Sequence, residues 1–175
     1  MSPLDWARTM AAYNRWMNER LYALCAGLSD VERKRDRGAF FRSIHGTLNH
    51  VLLGDRLWLG RFRGVPFAVR SLDQELYADF AELREERERT DGEIGAWTAS
   101  LTAADFDGTL HYTSFVNPAP RSFPFWTAAA HFFNHQTHHR GQLTTLLSQA
   151  GVDPGVTDLV WLPELLEPGR AARRR

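Results

Sequence analysis

The sequence predicts an all-α protein, a four-helix bundle with a short β-hairpin or irregular segment before its last long helix. Three observations lead there. Four stretches of about 20 residues or more carry apolar side chains at intervals of three and four, the period of an amphipathic helix. Capping residues or proline precede most of these stretches, and glycine or proline follows most of them. Between the third and fourth stretches the helical period gives way to β-rich composition. Long amphipathic helices with short connections and one crossover pack as a bundle, and bundles build cofactor sites from side chains on facing helices.

Ser2, Pro3 and Asp5 open the first helix as N-cap, first-turn proline and first-turn acid. Trp6, Met10, Tyr13, Met17, Leu21 and Leu24 form its apolar stripe, flanked by Asn14 and Trp16. The helix runs to about Ala26, and Gly27 stops it. Ser29 to Gly38 is highly charged and reads as a connection. The second helix is expected over Phe41 to Phe62, ended by Arg63, Gly64, Val65 and Pro66. Its stripe is Ile44, Leu48, Val51, Asp55, Trp58 and Phe62. An aspartate there reads as a buried hydrogen-bond or arginine partner, because buried carboxylates are normally paired. A role near a site is the sharper reading.

The third helix is expected to start at Ser71 to Gln74, a capping-box pattern, and to reach about Ser100. Leu76, Phe80, Leu83, Ile94, Trp97 and Leu101 mark its inward face. Glu82 to Arg89 alternates in charge with Glu/Arg pairs one turn apart, the pattern of a solvated surface. Thr109 to Val116, followed by Asn117 to Pro120 and then Arg121 to Phe123, reads as the hairpin. Pro124 lies near the start of the fourth helix, which ends near Gln149 with Gly151 as its C-terminal glycine. Beyond it, Leu159, Trp161 and Leu162 are expected to pack across the bundle.

The chain's 175 residues suffice for one domain with a full core. Residues 1–168 read as that domain and 169–175 as a frayed, Arg-rich tail. Acids and Lys plus Arg number 21 each, so the basic excess that nucleic acid requires is missing. Cys25 is the only cysteine, which excludes an internal disulfide and any cysteine-rich zinc site, and its apolar neighbours make it a packing residue. No signal-peptide pattern or membrane-length apolar run occurs, and a soluble cytoplasmic protein is the expectation.

Four of the seven histidines, His131, His135, His138 and His139, lie within nine residues on the fourth helix. His131, His135 and His139 share a stripe with Ala128, Phe132, Leu143 and Leu146, the face that turns toward the core. Imidazoles lined up there need partners, and a metal ion satisfies two at once. His-x3-His is the spacing of the H-E-x-x-H zinc helix, but Gln136, Thr137 and His138 stand between the histidines here, so the protease glutamate is missing. His50, on the second helix, has Gly46 and Gly54 one turn to either side, which leaves room for another helix or a ligand. His45 lies about 140° from His50 around that helix, so the two cannot share one ion. His138 is expected to make a hydrogen bond at the helix edge; His131 reads as a core polar contact, a pocket residue or a fourth ligand. His111 is assigned nothing.

Asn49-His50 with Asp55 and Trp58, and Asn134-His135 with His138, His139, Arg140, Gly141 and Gln142, resemble the paired motifs of the DinB family of damage-inducible bacterial proteins. The likeness extends from Asn14 to the region of Asp158. It implies a four-helix bundle, commonly a homodimer, whose metal ligands are one histidine on the second helix and a His-x3-His pair on the last long one. Carried over, these are His50, His135 and His139. Three imidazoles suit Zn²⁺, Ni²⁺ or Fe²⁺ and leave a position open, as in catalytic sites. Relatives in the wider superfamily include bacillithiol-dependent transferases and a mycothiol-dependent maleylpyruvate isomerase. The resemblance therefore implies a metal-dependent thiol S-transferase or hydrolase that activates a small thiol or water against a small-molecule substrate. Asn49, Asp55 and Gln142 are the candidates to orient the ligands. No general base stands out, and the alternative is a non-catalytic metal-binding stress-response protein.

Overall fold

A computed structural model describes residues 2–115 and 118–166. Four long helices dominate it: α1 (Pro3–Ala26), α3 (Ile44–Arg63), α4 (Phe80–Ser100) and α6 (Phe125–Gln149). Shorter helices α2 (Asp30–Lys34), α5 (Ala103–Asp107) and α7 (Pro163–Leu166) fill the connections. Strands β1 (Thr109–Thr113) and β2 (Pro120–Pro124) form an antiparallel hairpin before α6, with Thr109 opposite Pro124. Both α1 and α3 pack against α4 and α6, so α1 and α3 stand diagonally across the bundle. This is the architecture that the periodicity predicts.

Ser2 and Asp5 cap α1 reciprocally, as expected. Two other starts differ from expectation. The second long helix begins at Ile44 rather than Phe41, because Ser43 is its N-cap and accepts from the Gly46 N–H at 3.0 Å. Ahead of it Arg42 turns through φ 66°, and its N–H donates to the Ala39 carbonyl, closing a tight strap. Helix α4 begins at Phe80 rather than near Ser71. Asp79 caps it by accepting from the N–H groups of Ala81 and Glu82. The preceding segment is held out of the helix by Asn49, whose Oδ1 accepts from the Leu76 and Tyr77 N–H groups at 2.8 and 3.0 Å.

The core has two apolar halves. One gathers Met17, Leu21, Ile44, Leu52, Leu83 and Leu147; the other gathers Leu59, Ile94, Trp97, Phe125, Phe132 and Phe133. Buried polar side chains from all four long helices lie outside both clusters. Arg87 donates to Asp55 at 2.6 Å and faces Asp91 at 2.9 Å, with all three side chains almost fully buried. Asn14 and Asn18 donate to Asp91, Gln136 donates to Asp55 at 2.9 Å, and Arg140 donates to Asn14. The two carboxylates and two guanidiniums balance in charge. Burial raises the Asp55 pKa, and Arg87 and Gln136 oppose it.

Arg87 corrects the reading of Glu82 to Arg89 as solvated surface throughout, since it is 1% exposed. At the C-terminal end Leu162 is buried and Leu159 packs at the core's edge, but Trp161 is 53% exposed and does not pack as expected. The Arg-rich end, residues 169–175, lies outside the described residues. Among the described residues no helix is long and apolar enough to cross a membrane.

Candidate metal centre

The contact between α3 and α6 brings His50, His135 and His139 together. Their Nε2 atoms converge: His139 Nε2 lies 3.2 Å from that of His50 and 3.1 Å from that of His135. His50 and His139 are buried and His135 is half-buried. The approach depends on Gly54, where a Cβ would stand 2.7 Å from His135 Cε1. The missing side chain is filled by the imidazole from the facing helix. Gly46 serves the other side, since a Cβ there would meet the Phe41 carbonyl oxygen at 2.2 Å. The strap can therefore lie against α3, with the Phe41 ring stacked on His50 at 3.7 Å between centroids.

The second ring nitrogens decide the tautomers. His50 Nδ1 lies 2.8 Å from the Leu72 carbonyl, which can only accept, so this ring carries its proton on Nδ1 and its lone pair on Nε2. His139 Nδ1 lies 2.8 Å from Gln142 Oε1 and has the same arrangement. Burial pushes the pKa of His50 down to about 4 and that of His135 to about 3; it lowers that of His139 as well. At neutral pH the three rings are uncharged, the state a metal ligand requires. Lone pairs aimed at one another repel unless a cation lies among them. Nitrogens bound tetrahedrally to Zn²⁺ at 2.0–2.1 Å stand about 3.3 Å apart, close to the spacing of these rings. The donor set fits a divalent transition metal.

Of the three candidate orienting residues, Gln142 is the one that hydrogen-bonds a histidine of the cluster. It also holds His138, whose Nε2 lies 3.3 Å from Gln142 Nε2 at the helix edge, as expected. Asp55 does not reach a histidine; it is bound by Arg87 and Gln136, the paired role first read for it. Asn49 is spent on the segment before α4. His131 stays outside the converging trio, its ring 6.1 Å from His135 and 4.8 Å from Trp58. His45 faces the Tyr77 carbonyl and His111 faces Ser122. Cys25 is buried, and burial pushes its thiol up to about 12, as suits a packing residue. The Leu72 carbonyl and the Phe41 ring were not anticipated, and no sequence signal marks a backbone oxygen delivered by a loop.

A model of the DinB family matches residues 1–170, a span that holds all four long helices and all three histidines. The chain belongs to the DinB family. Protein DinB of Bacillus subtilis (strain 168) is 25% identical to it over 157 residues, covering 88% of this chain and 91% of that protein. Membership in the DinB family and the histidine cluster together support a metal-binding protein.

Proposed function

We infer that this DinB-family protein is a metal-dependent enzyme that activates a small thiol or water for transfer to, or hydrolysis of, a small-molecule substrate. His50, His135 and His139 would hold the ion. The observation that carries this reading is the convergence of three Nε2 atoms while two of the Nδ1 positions are engaged by Leu72 and Gln142. A divalent ion there supplies Lewis-acid chemistry, lowering the pKa of a thiol or water. The protein's own contribution is orientation. Leu72 and Gln142 fix two rings, Phe41 covers one face of His50, and Gly54 lets His135 approach. Imidazole suits Zn²⁺, Ni²⁺ and Fe²⁺ alike.

The test is metal content in protein purified without a histidine tag, together with thiol-transfer and hydrolysis assays on a panel of electrophiles. The wild type should retain close to one ion per chain and turn over; His135→Ala should lose both. Near-zero metal in both proteins would refute the reading.

A non-catalytic role has one specific feature in its favour: the histidines come from two helices, so an ion would tie α3 to α6. A large fall in melting temperature on chelation, with no turnover on any substrate, would favour it.

A further inference from the structure

We propose that the cavity between the C-terminal half of α3 and the hairpin binds the anionic group of a small molecule, a carboxylate or a phosphate, on the guanidinium of Arg61. The cavity has a volume of about 620 Å³. Phe67, Phe115, Tyr112 and Pro66 give it apolar walls, and Arg61 is the strongest charge in its lining.

Arg61 differs from its neighbours on the same helix. Arg56 pairs with Glu86, and Arg63 with Glu93. Among the described residues Arg61 has neither an ion pair nor a hydrogen-bond acceptor. It is nonetheless half-buried and held in place, with its guanidinium carbon 4.5 Å from the Trp58 ring centroid and 4.3 Å from that of Tyr112. Cation–π contact occupies a face of the guanidinium and leaves its N–H edges available. A planar fork of donors, fixed beside an apolar cavity without an acceptor, suits bidentate recognition of a carboxylate or phosphate.

The inference rests on the small-molecule reading above, and the location of Arg61 ties it to that site. Trp58 joins Arg61 to His131, and the His131 ring lies 6.1 Å from His135. Gly54, which abuts His135, precedes Arg61 by seven residues, about 10 Å of helix rise. A substrate about that long could place its anionic end on Arg61 and its reacting end at the histidines.

Binding of benzoate, phenyl phosphate and neutral benzamide to the full-length protein tests this directly, by calorimetry and by the fluorescence of the tryptophans. At least one anion should bind, with benzamide tenfold weaker or worse, and Arg61→Gln should lose tenfold or more of the anion affinity. Arg61→Lys should recover part of it. The tighter of the two anions assigns carboxylate or phosphate. The same series on chelated protein separates this site from the metal centre, since dependence on Arg61 should survive loss of the ion. Equal binding of benzamide, wild-type affinity in a folded Arg61→Gln, or no binding of either anion at millimolar concentration would overturn the proposal.

Discussion

Gly54 on α3 and His135 on α6 occupy one another's space: a methyl group on the glycine would stand 2.7 Å from the imidazole Cε1. A glycine inside a helix costs roughly 1 kcal/mol relative to alanine. Here that cost opens the room in which a ring from the facing helix meets His50 and His139.

Gly54→Ala should therefore separate stability from metal binding. The substitution favours the helix locally by up to about 1 kcal/mol but pushes His135 away from its partners. Competition with a chromophoric chelator should show affinity at least tenfold weaker, while the metal-free melting temperature changes little. Unchanged affinity would mean that His135 is not a ligand.

Gln142 acts through His139. Its Oε1 accepts from Nδ1 and fixes the tautomer, and loss of such a partner typically lowers metal affinity by about 10–100-fold. Gln142→Leu should show this with helix content intact. Gln142→Glu, which keeps the acceptor, should retain most of the affinity.

Asp55 and Arg87 are a fully buried pair within a balanced group, and removing Asp55 leaves Arg87 and Arg140 with Asp91 alone, one buried positive charge in excess. Asp55→Ala should cost about 3–5 kcal/mol in urea denaturation. Asp55→Ala combined with Arg87→Met should cost less than Asp55→Ala alone. A loss below about 1 kcal/mol for Asp55→Ala would contradict the pairing.

Acid should weaken the metal-free fold in a defined window. His50 titrates at about 4 and His135 at about 3 in the folded protein, against an ordinary 6.5. The unfolded chain takes up protons first, so the contribution of these rings is complete above about pH 6.5 and is lost as the pH falls toward 4 and then 3. The urea midpoint of metal-free protein should drop between pH 7.5 and pH 5. His135→Gln should flatten that slope, and identical slopes would refute the assignment.

Much of the molecule is legible before any coordinates, because helix periodicity and capping are local. Ser2 and Asp5 announce α1, and the His-x3-His pair with glycine-flanked His50, matched to the DinB motifs, marks the candidate site. Errors fall where a distant group overrules a local signal. Ser71 to Gln74 has a capping-box pattern, yet Asn49 holds the chain nearby in turns and Asp79 starts the helix. Arg87 sits in a run that looks solvated, but it points at Asp55 and Asp91, from which it is separated by 32 and four residues.

By itself the sequence determined the helices and their apolar faces, which follow from spacing along one helix at a time, and its likeness to the DinB motifs singled out the three histidines. Only the tertiary structure decided which atoms of those histidines meet, which carbonyl and amide fix their tautomers, and that Arg61, unlike Arg56 and Arg63, meets no counter-charge among the described residues. Such contacts join residues far apart in the chain. They exist only once α3, α6, the strap and the hairpin have packed together.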